Sequence, residues 1–323
     1  MEVSSPWVDE VPAATEFASV VLPGAEHVVS YHIVRRGGCW AALRGDAPVR
    51  LEAGDIFVVP QGDAYMMDSA PDLRSTLSRQ AVTEFFRLMA SASAPLTVTE
   101  GGGGPERAQV ICGFLGCDIR SFNPVIEALP RVLHLRGQPG TREDSRLSQL
   151  VELALAESRE RQPGTRCVLL RLSELLFIEV VRRHLESLTG EHTGWLAGLR
   201  DPMAGHALAL LHNRPADPWS LERLAREIGV SRSSLAERFS VLIGQPPMRY
   251  LTRWRIQLAC RLLGDDAAKV SAVAFDVGYQ SEAAFSRAFK AVVGTSPATW
   301  RRRHTAVPRI RRRSPRTKFE NRL

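Results

Sequence analysis

Residues 219–242 read WSLERLAREIGVSRSSLAERFSVL, and this stretch decides the fold of the C-terminal third. Ser220 is an N-cap type placed before Leu221, Leu224, Ala225 and Ile228, which share one helical face. Ala225 is small enough to let a second helix approach closely. Gly229 follows as the residue suited to a left-handed corner, with Val230 plugging it. Ser231 then starts a second helix whose inner face is Leu235 and Phe239, leaving Arg232, Ser233, Ala236 and Glu237 on the outer side. Helix, glycine corner, helix is the layout of a helix-turn-helix unit, whose second helix enters the major groove of DNA.

The same layout returns at 270–293, VSAVAFDVGYQSEAAFSRAFKAVV. Val273, Ala274 and Val277 form the first face, Gly278 the corner, Ser281 the cap, and Phe285 and Phe289 the anchors. Between the two units, 249–263 reads RYLTRWRIQLACRLL, with Tyr250, Leu251, Trp254, Leu258 and Leu262 on a helical stripe. A helix of about 17 residues between Pro246 and Leu263 spans about 25 Å, enough to hold two reading heads near the ~34 Å repeat of one DNA turn. Upstream, Asp201 followed by Pro202 is a cap and first-turn proline that open a helix running to about His212.

Charge follows the same division. The chain of 323 residues has a net charge of +7, but residues 1–199 hold 19 Lys and Arg against 25 Asp and Glu. Residues 200–300 hold 13 against 9, and 301–323 hold 10 against 1. A basic C-terminal part on an acidic partner suits contact with a polyanion. The tail RRRHTAVPRIRRRSPRTKFENRL reads as disordered from its prolines and charge, with nonspecific phosphate contact as its contribution.

From about residue 30 to 116 the pattern changes to short apolar runs, YHIV, CWAAL, VRLEAG, DIFVVPQGD and QVICGFLG, broken by turn residues. These predict an antiparallel sandwich or barrel. Residues 101–104, all glycine, read as a flexible connection that is cheap to lengthen. Leu147, Leu150, Val151 and Ala154, then Leu169, Leu172, Leu175 and Leu176, predict two helices separated at 162–164. Their stripes pack either on the sheet region or against a second copy of the chain. No apolar run reaches the roughly 18 residues of a membrane span, and Glu2, Asp9 and Glu10 stand where a signal peptide carries positive charge. Five irregularly spaced cysteines do not form a disulfide framework. The expectation is a cytoplasmic, soluble protein without membrane contact.

Residues 200–302, above all AFDVGYQSEAAFSRAFKAVVGTSPATWRR, resemble the DNA-binding region of AraC/XylS transcription regulators. That resemblance implies a seven-helix domain reading adjacent major grooves. It places Ser233, Ala236 and Glu237, and in the second unit Glu282, Ala283, Ser286 and Arg287, toward bases. Glu237 suits cytosine N4, and Arg287 suits guanine O6 and N7. Ser231, Arg232, Ser281 and Lys290 are assigned to phosphates, which set register without carrying sequence information. The alternative for Glu237 and Glu282 is pairing with neighbouring arginines.

Residues 30–124 are similar to the degenerate cupin-type sensor of one branch of that family, through YHIVRRGGCW, LEAGDIFVVPQGDAY and ICGF. The likeness implies a small barrel that receives a signal, without naming the ligand. His27 and His32 face opposite sides of a strand, and Tyr65 occupies the usual position of a cupin histidine. No metal site, catalytic residue or cofactor is therefore expected. Cys39, Cys112 and Cys117 are candidates for redox sensing, with inert core cysteine as the alternative; Cys39 is within reach of Cys112 across strands.

The expected architecture has a cupin-like sensor domain (1–135), a helical linker and dimerisation region (136–192), a DNA-binding domain with two helix-turn-helix units (199–302), and a basic tail (303–323). The fold class is an all-β barrel plus helices, followed by an all-α domain. The expected partners are double-stranded DNA, a second copy of the chain, an unidentified small-molecule or oxidant effector, and RNA polymerase if the protein activates. A cupin enzyme fused to a DNA-binding region and a constitutive DNA-binding protein are the rival functions.

Overall fold

The computed structural model describes residues 1–304 except positions 24, 26, 72, 76–77, 92–97, 118–121, 138–145, 161, 189–193 and 265–267. The basic tail, beyond its first residues, lies outside the described residues.

The N-terminal half contains β1 (Glu2–Ser4), β2 (Val8–Val11), α1 (Ala14–Val21), β3 (His27–Arg36), β4 (Gly38–Leu43), β5 (Val49–Glu52), β6 (Ile56–Val59) and β7 (Tyr65–Asp68). It continues with α2 (Arg79–Ser91), β8 (Thr99–Gly101), β9 (Arg107–Cys117), α3 (Pro124–Ala128) and β10 (Leu133–Leu135). One sheet has the order β10-β6-β3-β9-β1-β8 and the other β2-β7-β4-β5. Neighbouring strands are antiparallel except for the parallel pair β1 and β8. This is the expected barrel-like pair of sheets.

Strand β3 is buried on both faces, because alternate side chains meet different cores. Val28 and Val34 face the space between the sheets with Leu51, Phe57, Tyr65 and Met67. Val29 and Ile33 face outward onto Leu147, Val151, Leu176 and Val180. That second core is formed with α4 (Arg146–Glu160) and α5 (Thr165–Ser187), so the helical pair covers the outer side of the larger sheet.

Two sequence expectations need correction here. Residues 101–104 are a close approach rather than a slack connection: a Cβ on Gly101 would lie 1.8 Å from the Ser4 carbonyl oxygen, and one on Gly104 2.3 Å from that of Ser5. Parallel pairing of β8 with β1 forces this proximity. In α5 the inward stripe is Leu172, Leu176 and Val180, whereas Leu175 is exposed. The helix is apolar on more than one face, so periodicity alone did not select the buried side.

The C-terminal part consists of α6 (Trp195–Arg200), α7 (Pro202–Asn213), α8 (Leu221–Ile228), α9 (Arg232–Ile243), α10 (Pro247–Leu263), α11 (Val270–Asp276), α12 (Glu282–Val293) and α13 (Pro297–His304). Seven helices, α7 to α13, thus follow the short α6. They form two cores joined by α10: Leu208, Leu224, Leu235 and Phe239 in the first, Ile256, Val273, Phe285 and Phe289 in the second. Since α10 serves both, it buries Tyr250 and Leu251 toward one and Ile256, Cys260 and Leu263 toward the other. Leu262, expected on the buried stripe, is exposed for that reason.

Candidate nucleic-acid interface

The first helix-turn-helix unit is built by its caps. Ser220 accepts from the Arg223 amide, Gly229 turns the chain at φ 82°, and Ser231 accepts from the Ser234 amide. Leu235 and Phe239 are fully buried, which fixes the rotation of α9 and turns Arg232, Ser233 and Glu237 to the outside. Ala236 is half-buried at the edge of that face. Behind it, Asp201 caps α7 through the Met203 and Ala204 amides and holds Arg238 of α9 at 2.8 Å.

In the second unit Gly278 turns at φ 87°, and the Ser281 hydroxyl accepts from the Ala284 amide. Phe285 and Phe289 are fully buried, while Glu282, Ala283, Arg287 and Lys290 are exposed and Ser286 is half-buried. Each unit thus presents a capped helix with its N-terminal outer face open, the surface that such helices turn to base edges.

Several groups assigned to DNA already have local partners. Arg232 is paired with Glu222 at 2.9 Å, both exposed. The Ser231 hydroxyl is shared among its cap bond, Ser233 Oγ and Ser234 Oγ. Among the described residues Glu237, Glu282, Arg287 and Lys290 have no ion-pair partner.

The units are locked together through α10. Arg255 donates from Nε to the Pro215 carbonyl and from Nη2 to that of Asp217, each at 2.7 Å, while its guanidinium lies 5.7 Å from the Tyr279 ring centre. A Cβ on Gly278 would stand 2.5 Å from the Ala216 carbonyl oxygen. The corner of the second unit therefore rests directly on the chain leading into the first.

Sequence reasoning missed the junction with the cupin-like half. Phe122, just before α3, is buried in the core of the first unit. Its ring meets Tyr250 edge-on at 5.4 Å, its amide donates to Gln257 Oε1 at 3.1 Å, and the Arg253 guanidinium lies 4.0 Å from the ring centre. Arg253 Nη2 also reaches both carboxylate oxygens of Glu127, at 3.2 and 3.3 Å. Nearby, Trp195 Nε1 donates to the Tyr250 hydroxyl at 2.8 Å, and Arg200 of α6 donates to the carbonyls of Leu185 and Leu188 at the end of α5. The available signal was Phe-Asn-Pro at 122–124: Asn123 caps α3 with Pro124 at its first turn. An apolar residue before such a cap usually packs on the fourth helical position. Here that position is Glu127, so Phe122 is left for another partner.

Inside the barrel His32 links two polar side chains. Its Nε2 is 2.6 Å from the Tyr65 hydroxyl and its Nδ1 is 3.1 Å from Cys112 Sγ. Burial pulls the His32 ring down to about 3 and pushes the Cys112 thiol up to about 12. Both are therefore neutral near pH 7, and each ring nitrogen of His32 has one hydrogen-bond partner. Cys39 is fully buried and its thiol is also pushed up to about 12 by burial. Cys39 and Cys112 belong to the inner core, whereas Cys117 packs toward the helical side. His27 stays on the opposite face from His32, against the Pro60 carbonyl. Among the described residues no three metal-ligating side chains are brought together, and no helix is long and apolar enough to cross a membrane.

Comparison with known sequences agrees with both halves. The cupin family profile matches residues 1–186, and a helix-turn-helix domain profile matches residues 224–303. A Streptomyces lividans protein named as an AraC-like transcription regulator is 34% identical over 289 residues, covering 88% of this chain and 90% of its own. A Streptomyces antibioticus protein of the same name is 34% identical over 280 residues, 86% of this chain and 88% of its own. Among solved structures, the DNA-binding domain of AdpA in complex with a target DNA is 31% identical, covering 33% of this chain and 95% of that one, with a TM-score of 0.31. With a cupin domain in front of paired helix-turn-helix units and this identity along most of its length, the chain belongs to the AraC-like family of transcription regulators.

Proposed function

We propose that this protein is a sequence-specific, signal-responsive regulator in which α9 and α12 read two successive major grooves. Residues 1–135 act as the sensor, 136–192 as the connection and dimer contact, and 199–302 as the reader. The observation that carries the reading is the pair of capped helices with open outer faces, fixed to one another by α10 and Arg255. Arg287, exposed and without an ion-pair partner among the described residues, is the guanine contact. Glu237 accepts from cytosine N4, and Arg232 exchanges Glu222 for a phosphate.

The sensor acts on the reader through the Phe122 junction, because movement of α3 pulls directly on a side chain in the reader's core. A second copy covers the apolar side of the helical pair that the barrel leaves open, where Leu153, Val168, Leu175 and Ile178 are exposed. The test is recovery of bound duplexes from a random pool near physiological salt. Two conserved blocks about one turn apart support the reading, whereas salt-sensitive binding without sequence preference overturns it.

A further inference from the structure

The loop that joins β6 to β7, residues 60–64, is tied to several distant parts of the chain. The Pro60 carbonyl meets His27 of β3, the Gly62 carbonyl accepts from the Ala14 amide at the start of α1 at 2.8 Å, and Asp63 takes the Arg131 guanidinium at 2.9 Å. Gly62 has no room for a side chain: at φ 71° a Cβ would lie 2.7 Å from that of Ala14. The loop then enters β7 at Tyr65, whose hydroxyl is the partner of His32 inside the barrel. One further contact leads away from the barrel. Gln61 Nε2 donates to the carbonyls of Ile126 and Leu129, at 2.7 and 2.9 Å, where α3 ends. Both partners can only accept, so the side-chain amide must turn its two N–H groups toward them.

Resting on the regulator reading above, we propose that Gln61 is a positioning residue through which the barrel sets the orientation of α3, and with it the Phe122 and Glu127 contacts to α10. Helix α3 has five residues, too few to hold a conformation of its own, and it is gripped at both ends. Gln61 takes its last carbonyls from the barrel side. On the other side Phe122 sits in the core of the first helix-turn-helix unit with its amide on Gln257, and Glu127 holds Arg253. Ile126 and Leu129 also pack into the core outside the larger sheet. That packing is non-directional and keeps α3 near the sheet, whereas two hydrogen bonds from one planar amide fix its rotation. A shift of the 60–64 loop moves both acceptors of Gln61, and Phe122 and Glu127 move with the helix that carries them. The polar group inside the barrel, His32 with Tyr65, thereby has a bonded route to α10.

The test is hydrogen exchange of the full chain, read by peptide mass spectrometry. Gln61→Met keeps the length and loses both donors, Gln61→Glu turns a charge toward the carbonyl end of a helix, and Gln61→Lys still donates there. The expected result is several-fold faster exchange in α3 and in 250–257 of α10 for the Met and Glu variants. The Lys variant should stay near wild type, and β3 and β9 should be unchanged in all three. A purely structural role is separated by repeating Gln61→Met in a chain that also carries Phe122→Ala and Arg253→Gln. With those links cut, α3 should still respond and α10 should not; if that chain does not fold, Arg253→Gln alone should reduce the α10 response. No change in α10 for either the Met or the Glu variant, or an α10 response of full size with the links cut, overturns the role. Affinity for a selected duplex, measured on the same preparations, should change several-fold for Gln61→Met and return with Gln61→Lys. A coupled exchange response that leaves duplex affinity unchanged overturns the regulatory part of the proposal. If wild type selects no duplex at all, the regulator reading falls, while the exchange result still decides the link from Gln61 to α10.

Discussion

His212 is held as a neutral ring by the groups packed around it. Its Nε2 lies 2.7 Å from the Tyr250 hydroxyl, which already accepts from Trp195, and its ring stacks on Trp254 at 4.2 Å. Burial pulls its pKa from 6.5 to about 4. The folded value lies below the unfolded one, so the unfolded chain takes up the proton first as pH falls below about 6.5. Stability is lost from there until the folded ring titrates near 4. The pH-dependent part is on the order of 3 kcal/mol. The expected measurement is a difference between wild type and His212→Gln that shrinks by about that amount between pH 7 and pH 4 in denaturant unfolding. His32 has the same sign and Asp9, raised to about 6 by burial, the opposite one, but both are common to the two proteins and cancel. A difference independent of pH contradicts the burial argument.

The cysteines follow the same logic. A thiol pushed up to about 12, as at Cys39 and Cys112, is a poor nucleophile near neutrality. Iodoacetamide labelling followed by peptide mass spectrometry should find exposed Cys167 modified first, with Cys39 protected until unfolding. Early modification of Cys112 would restore thiolate-based sensing. Cap residues were legible at this scale: Ser220, Ser231, Asp201 and Ser281 all cap as their sequence context requires. Phe122 was not, because the core of a distant helix chose its partner.

Among the elements, α10 carries the mechanical argument. Its length was readable, but its buried faces were not, since it serves two cores at once. Arg255 looked like one more basic residue on that helix, yet it ties the approach to the first unit to the corner of the second. Arg255→Leu leaves both units folded and loosens their relation. Affinity for a two-block duplex should fall about tenfold, while affinity for a single block changes little. Equal loss on both duplexes would mean that Arg255 serves the fold rather than the spacing. Helix α5 shows the converse problem. Apolar residues on several faces hid the sheet-facing stripe, and they are also what points to a partner at Leu175 and Ile178. Ile178→Asp should shift sedimentation equilibrium from dimer toward monomer with the melting temperature nearly unchanged; a wild-type monomer at micromolar concentration would contradict the dimer.

Over the whole molecule, the division into a sheet half and a helical half was legible from periodicity, turn residues and charge. The junction was not, because it depends on contacts more than a hundred residues apart, Phe122 with Gln257 and Glu127 with Arg253. Phe122→Ala removes a buried ring, a loss of about 3–5 kcal/mol in well-packed sites. It should separate the melting of the two halves in calorimetry into two transitions; a single unchanged transition would mean that the halves are not coupled there.

The central claim is that two helices read sequence together. The most direct test is selection of bound duplexes by the intact chain and by Arg287→Ala, side by side, near physiological salt. The account predicts a site with two blocks about one DNA turn apart, with preference lost at one guanine-containing block in the variant and kept at the other. Identical sites for both proteins, or binding that follows salt and ignores sequence, would contradict it.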